Sequence, residues 1–161
     1  MENSQRPARL GFLLSQLGTH AGELFAAQTR ELGITPSEAG VIRIIGRSSG
    51  ISQRDLADRL GIVQSRVVVV VDRLESVGQI VRRRSTSDRR VQQLELTDVG
   101  QATLRALRHA AEAQEAILTD GLTNEQKTKL FELLTAISTL RGLDADVHPG
   151  YRTDPPNARE S

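Results

Sequence analysis

Apolar residues recur along this chain at three- and four-residue intervals, except in one short stretch where the period drops to two. Leu10, Leu13, Leu14, Leu17, Ala21, Leu24 and Phe25 lie at helical spacing and predict a long first helix over about 9–32, closed by Gly33. Thr35-Pro36-Ser37-Glu38 is a strong helix start: a hydroxyl cap, a proline at the first helical position and an acid at the third. Val41, Ile42, Ile44 and Ile45 leave the second helix nearly all apolar, which predicts burial. Ser52-Gln53-Arg54-Asp55 opens a short third helix carrying Leu56, Ala57 and Leu60, with Gly61 as its stop. A fourth starts near Gln64, carries Val67, Val70, Val71 and Leu74 on one face, and ends at Gly78. Ile80 to Arg84 and Val91 to Leu96 then read as the two strands of a hairpin around a polar, cationic tip, and Ile51 is expected to add a one-residue bridge. Thr97 caps a fifth helix over about 98–118, whose stripe of Leu104, Leu107, Ala111 and Ile117 is sparse. Thr123-Asn124-Glu125-Gln126 opens a sixth, strongly amphipathic helix with Leu130, Phe131, Leu133, Leu134, Ile137 and Leu140.

A short helix, a tight turn, a second helix and a basic hairpin make a winged helix-turn-helix, which offers one helix to the major groove of DNA and a charged loop to the neighbouring groove. The expected fold is therefore mainly α with a small β-hairpin wing. Four segments follow: an N-terminal dimerisation helix (1–34), the winged helix-turn-helix (35–97), C-terminal dimerisation helices (98–141) and a disordered or loosely docked tail (142–161). The tail reading rests on Pro149, Pro155 and Pro156 and a near absence of apolar residues. Leu10, Leu13, Leu14, Leu17, Leu130, Leu133, Leu134 and Ile137 are more apolar surface than a small lobe can cover. A homodimer would bury them and double the contacts to DNA.

Net charge is only +1, but its distribution is uneven. Residues 47 to 96 hold ten arginines against six acids, a net +4, while residues 97 to 140 hold four cations against six acids, a net −2. The positive charge sits where the hairpin is, as a phosphate-facing surface requires. The absence of cysteine excludes disulfides and thiolate metal sites. No apolar run reaches signal-peptide or membrane-span length, so a cytoplasmic protein with no membrane partner is expected. No catalytic constellation is present, and His20, His109 and His148 are too scattered for a metal site. Neither an enzyme nor a cofactor is expected.

Four runs then stand in a specific order: Leu56-Ala57-Asp58-Arg59-Leu60-Gly61-Ile62, Val71-Asp72-Arg73-Leu74-Glu75-Ser76-Val77-Gly78, Asp88-Arg89-Arg90, and Leu94-Glu95-Leu96-Thr97-Asp98-Val99-Gly100. Together they resemble the MarR family of bacterial transcription regulators, over about Leu10 to Leu140. The resemblance implies a homodimer intertwined through both chain ends. It implies a regulator, more often a repressor, on a pseudo-palindromic operator. It also implies a small-molecule effector held between the DNA-binding lobe and the dimer helices.

Gln64, Ser65 and Arg66 are the first exposed side chains of the reading helix. Gln can pair with adenine and Arg with guanine in the major groove, and Ser can serve a base or a phosphate. Arg84, Arg89 and Arg90 flank or occupy the wing tip. The resemblance sends Arg90 into the minor groove, with Asp88 orienting the arginines. Ser37, Arg54 and Arg73 are expected phosphate contacts. Two departures from the family stand out. Residues 67 to 71 are all valine, so Val68 and Val69 are expected to face outward where polar residues are usual, able to touch thymine methyls. Val63 occupies a position where a hydroxyl cap is usual. These departures keep open an alternative, a winged-helix protein-interaction module with weakened sequence-specific DNA binding.

Overall fold

The structure, a computed structural model, describes residues 9–84, 92–143 and 147. In chain order the elements are α1 (Leu10–Glu31), α2 (Pro36–Arg47), β1 (Ile51–Ser52), α3 (Gln53–Leu60), α4 (Gln64–Ser76), β2 (Ile80–Arg84), β3 (Gln92–Leu96), α5 (Asp98–Leu118) and α6 (Asn124–Leu140). Each expected helix is present within a residue or two of its expected ends.

Helix α2 is the centre of the lobe. Its start is a complete capping box: Glu38 N–H donates to Thr35 Oγ1 at 3.1 Å, and Thr35 N–H donates to Glu38 Oε2 at 2.7 Å. Ala39, Val41, Ile42, Ile44 and Ile45 are all buried, so the near-continuous apolar run is covered on almost every side. They share one core with Leu56 and Leu60 of α3, Val67, Val71 and Leu74 of α4, Ile80, Leu94, and Leu104 and Leu107 of α5. Each such fully buried aliphatic side chain contributes about 1.5–3 kcal/mol. Val147, from the proline-bearing C-terminal segment, packs half-buried against the same core.

The three strands form one antiparallel sheet in the order β1-β3-β2. The expected bridge at Ile51 is longer than one residue: Ile51 and Ser52 pair with Leu94 and Gln93. Gly50 N–H also donates to Leu94 O at 3.0 Å, which extends the pairing back into the loop and gives the short strand a second anchor. In the hairpin Ile80 faces Leu96, Arg82 faces Leu94 and Arg84 faces Gln92. Alternation therefore puts Ile80, Arg82 and Arg84 on one face and Val81 and Arg83 on the other.

Helix α1 meets α5 through amide clamps where apolar packing is thin. Gln28 Nε2 donates to Ala110 O at 3.0 Å, and Gln114 Nε2 donates to Ala21 O at 2.7 Å. These explain how the sparse stripe of α5 suffices. The first half of α1 lies beyond this contact, and Leu10, Phe12 and Leu17 are exposed there. No residue of α6 is buried within one chain, although it opens with a full capping box at Thr123.

The lobe is joined to α5 at one tight point. Thr97 Oγ1 caps α5 by accepting from Gly100 N–H at 3.1 Å and also lies 3.2 Å from Gln79 O, to which it donates. Thr97 N–H donates to the same carbonyl at 3.1 Å. A Cβ on Gly100 would stand 2.0 Å from Gln79 O and 3.1 Å from Gln79 C. Backbone cannot give way as a side-chain end can. Gly100→Ala is therefore expected to cost about 1–3 kcal/mol or more in urea unfolding, in the range of overpacked cores. Gly46→Ala, whose Cβ would meet the movable Leu104 Cδ2 at 2.4 Å, should cost less. Equal stability of Gly100→Ala and the parent chain would show that the junction is looser than this geometry.

Candidate nucleic-acid interface

Helix α3, a three-residue turn and α4 make the helix-turn-helix. Ser52 caps α3 by accepting from Asp55 N–H at 3.0 Å, and its hydroxyl donates to Asp55 Oδ2 at 2.7 Å. Gly61, at φ +66°, ends α3 in the left-handed region that costs glycine nothing, and Ile62 N–H reaches back to Ala57 O at 3.2 Å. This closure turns the chain sharply into α4. There Val63 is the N-cap and makes no side-chain capping bond, as its apolar side chain dictates.

Burial along α4 sorts its residues by face. Val67, Val71 and Leu74 are buried, and Val70 packs half-buried against the core. Gln64, Ser65 and Arg66 stand exposed in the first turn. Val69 is 69% exposed and extends that surface. Val68 does not face fully outward as expected; it is half-buried. With residues 67, 70 and 71 all turned inward, the apolar arc of the helix is wide enough that position 68 falls on its edge. The outer surface continues through Asp72 and Arg73, both exposed.

Asp72 would place a carboxylate beside any phosphate that meets this face. The structure neutralises it. Arg82, on β2, forms ion pairs with Asp72 through Nη2 and with Glu75 through Nη1, and its backbone N–H donates to Glu75 Oε1 at 3.3 Å. The Arg82 side chain is only 17% exposed, so the fork is held between strand and helix. It ties the root of the wing to the reading helix and fixes the angle between them. Sequence reasoning missed this role. The available signal was an arginine in phase with Ile80 on the inward side of the strand, two acids one turn apart on the preceding helix, and a tight glycine turn between them.

The remaining candidates are spread around this centre. Arg84 is exposed at the end of β2, and Arg54 is exposed on the first turn of α3. Neither Arg54, Arg66 nor Arg84 pairs with a carboxylate among the described residues. Arg73 is exposed but approaches Glu38 Oε1 at 3.9 Å, and Ser37, next to Glu38, is half-buried. Arg83, on the opposite strand face, pairs with Glu95 at 2.8 Å. Asp88, Arg89 and Arg90 lie outside the described residues. No group of His, Asp or Glu among the described residues could hold a metal ion.

A family model described as MarR family matches residues 32–91, the span from the end of α1 through the wing. A protein assigned as a transcriptional regulatory protein for the hcr operon of Thauera aromatica is 33% identical over 126 residues, which cover 78% of this chain and 76% of that protein. Among solved structures, the transcriptional repressor CouR bound to a 23-mer DNA duplex is 32% identical, with a TM-score of 0.69 over 81% of this chain and 92% of that one. The Mycobacterium tuberculosis protein Rv2887 in complex with salicylic acid is 27% identical, with a TM-score of 0.65 over 81% of this chain and 96% of that one.

The Arg82 fork has a measurable consequence. A double-mutant cycle of Arg82→Ala and Glu75→Gln, read by urea unfolding, is expected to give a coupling of about 0.5–3 kcal/mol. Additive effects of the two substitutions would mean that strand and helix are held by backbone packing alone.

Proposed function

The chain belongs to the MarR family of DNA-binding transcription regulators, and we propose that it acts as a homodimeric repressor of a pseudo-palindromic operator. The observation that carries this reading is the first turn of α4. Gln64, Ser65 and Arg66 project into solvent there, over a face locked by Val67, Val71 and Leu74. A rigid helix that presents hydrogen-bonding side chains at its N-terminal end suits major-groove readout. Gln64 and Arg66 meet base edges, Ser65 a base or phosphate, and Val69 the methyl group of a thymine. Val68, at the edge of the buried arc, adds apolar contact at the margin of the groove. Arg84 leads into the wing, where Arg89 and Arg90 reach the minor groove and Asp88 orients them. Arg54 contacts phosphate from α3, and Ser37 and Arg73 do so from the α2–α4 side.

Dimerisation supplies the second half-site. The exposed Leu10, Leu13, Leu14 and Leu17 of α1 and Leu130, Leu133, Leu134 and Ile137 of α6 are the surfaces that pair. The segments 1–34 and 98–141 serve the dimer, 35–97 serves DNA, and 142–161 is the tail. A small-molecule effector releases the operator, as the salicylic acid complex of a relative suggests by analogy. No helix among the described residues is long and apolar enough to cross a membrane, in keeping with a cytoplasmic regulator.

Binding titrations on a library of operator variants test this assignment. Gln64→Ala and Arg66→Ala are expected to relax base preference at one or two positions in each half-site, by about 1–3 kcal/mol each. Arg84→Ala should lower affinity evenly across sequences and reduce the salt slope by about one counterion. Half-site centres are expected roughly 34–36 Å apart. Unchanged base preference in both α4 variants would move readout to the wing. No shift of DNA from the chain's own promoter region would favour the protein-interaction alternative. Light scattering is expected to show twice the 17.6 kDa chain mass. Leu133→Glu should shift it toward the monomer, and a monomer for the unaltered chain would overturn the dimer.

A further inference from the structure

We propose that the cleft between α2 and α5 binds a small organic phosphate, an apolar group bearing a dianionic phosphoryl head, and that this is where the effector acts. The second half rests on the regulatory reading above; the first does not. The cleft measures about 130 Å³ and is lined by Arg43 and Arg47 of α2 and by Leu104, Leu107, Arg108 and Ala111 of α5. Arg43 and Arg47 lie one turn apart on α2, and Arg108 lies one turn beyond Leu104 on α5, so three guanidinium groups share one opening. Leu104 and Leu107 are buried and form an apolar floor. Gly46 sets the depth of that floor, because a Cβ there would collide with Leu104 Cδ2 at 2.4 Å.

No acidic residue stands among the described residues lining the cleft. Arg43 is half-buried, and burial first, then the like charge of Arg47, draws its guanidinium below its usual range. A bound anion would relieve both effects. The charge count selects the anion. One carboxylate would offset only one of three cations, whereas a phosphoryl dianion accepts forked bonds from two guanidinium groups and still faces the third. Size selects the remainder. A cavity of about 150 Å³ accommodates benzene, so this cleft seats one ring or one phosphoryl group at depth and leaves the rest of the ligand at the open mouth.

Both walls of the cleft run to the reading helix. Helix α2 begins beside Glu38, which faces Arg73 of α4 at 3.9 Å. Helix α5 begins at Thr97, bonded to Gln79 just after α4 ends. Drawing Arg108 toward Arg43 and Arg47 would shift α5 against α2, and the junction would carry that shift to α4.

The test is calorimetric titration of the full chain with phenyl phosphate, benzoate and phenol at pH 7.5 and constant ionic strength. The expected result is one phenyl phosphate per chain, bound at least tenfold more tightly than benzoate, with no saturable binding of phenol. Arg43→Gln and Arg108→Gln should each weaken binding tenfold or more, while Arg105→Gln, exposed on α5 outside the cleft, should not. Arg108 is also exposed, so its variant keeps the test open if Arg43→Gln fails to fold. No saturable binding, a preference for benzoate, or an equal loss in Arg105→Gln would overturn the site. Titration of operator DNA separates the two phosphate sources. Weaker DNA binding by Arg43→Gln or Arg108→Gln without phenyl phosphate would assign these arginines to the DNA backbone and overturn the proposal. Saturating phenyl phosphate is expected to change operator affinity at least fivefold in the parent chain and not in the two variants. Binding without that change would overturn the effector role alone. A chain that binds phenyl phosphate but no DNA would overturn the regulator reading and leave the site standing.

Discussion

The carbonyl of Gln79 is the point on which the two halves of this chain turn. It accepts from Thr97 N–H and Thr97 Oγ1, and Gly100 packs directly against it with no Cβ between. The same short turn carries Gly78, at φ +72°, whose N–H reaches Glu75 O at 2.9 Å to close α4. The reading helix, the first wing strand and the helix that leads out of the lobe therefore share three consecutive residues. Any rotation of α5 is delivered at the base of α4 with little slack, because hydrogen bonds and backbone contact leave no soft side chain to absorb it. This geometry suits a protein that must change the separation of two reading helices.

Helix α4 shows how packing can carry a segment with poor intrinsic preferences. Five consecutive β-branched valines and an uncapped start both disfavour an isolated helix. Burial of Val67, Val71 and Leu74 against α2 and α3 outweighs that cost, since each contributes more than the few tenths lost per residue to propensity. The consequence is a reading surface that is narrow and polar only at its first turn. Asp72 would spoil the rest of it, and Arg82 removes that liability while bracing the wing. One arginine thus serves electrostatics and geometry together.

The dimer helices are built on a different principle. Within one chain α1 and α5 are clamped by glutamine side chains bonded to backbone carbonyls, and small residues let them approach. Their aliphatic residues are left outward, with those of α6, where a second copy can cover them. An interface whose apolar groups are absent from the internal core has a folding lobe and an assembly surface that titrate separately.

Much of this was legible from local sequence. Helix starts at Thr35, Ser52, Thr97 and Thr123 are written in the hydroxyl and its partner three residues on, because capping is a contact between near neighbours. The burial of α2 follows from an apolar run with no polar face, and the exposure of Gln64 to Arg66 from the period of the valines behind them. Other features depended on residues distant in sequence, and only the tertiary structure could decide them. Val68 turned to the edge of the core because of where α4 settled against its neighbours. Arg82, one of a run of similar arginines, became a brace and not a DNA contact because strand alternation turned it toward Asp72 and Glu75. Arg43, Arg47 and Arg108 read along the chain as ordinary charges on two unrelated helices. They became one cationic cleft because Gly46 lets Leu104 approach and brings those helices together. Periodicity and capping are properties of neighbours along the chain, and the sequence determined them; charge constellations are properties of neighbours in space, and the packing of α2 against α5 decided this one.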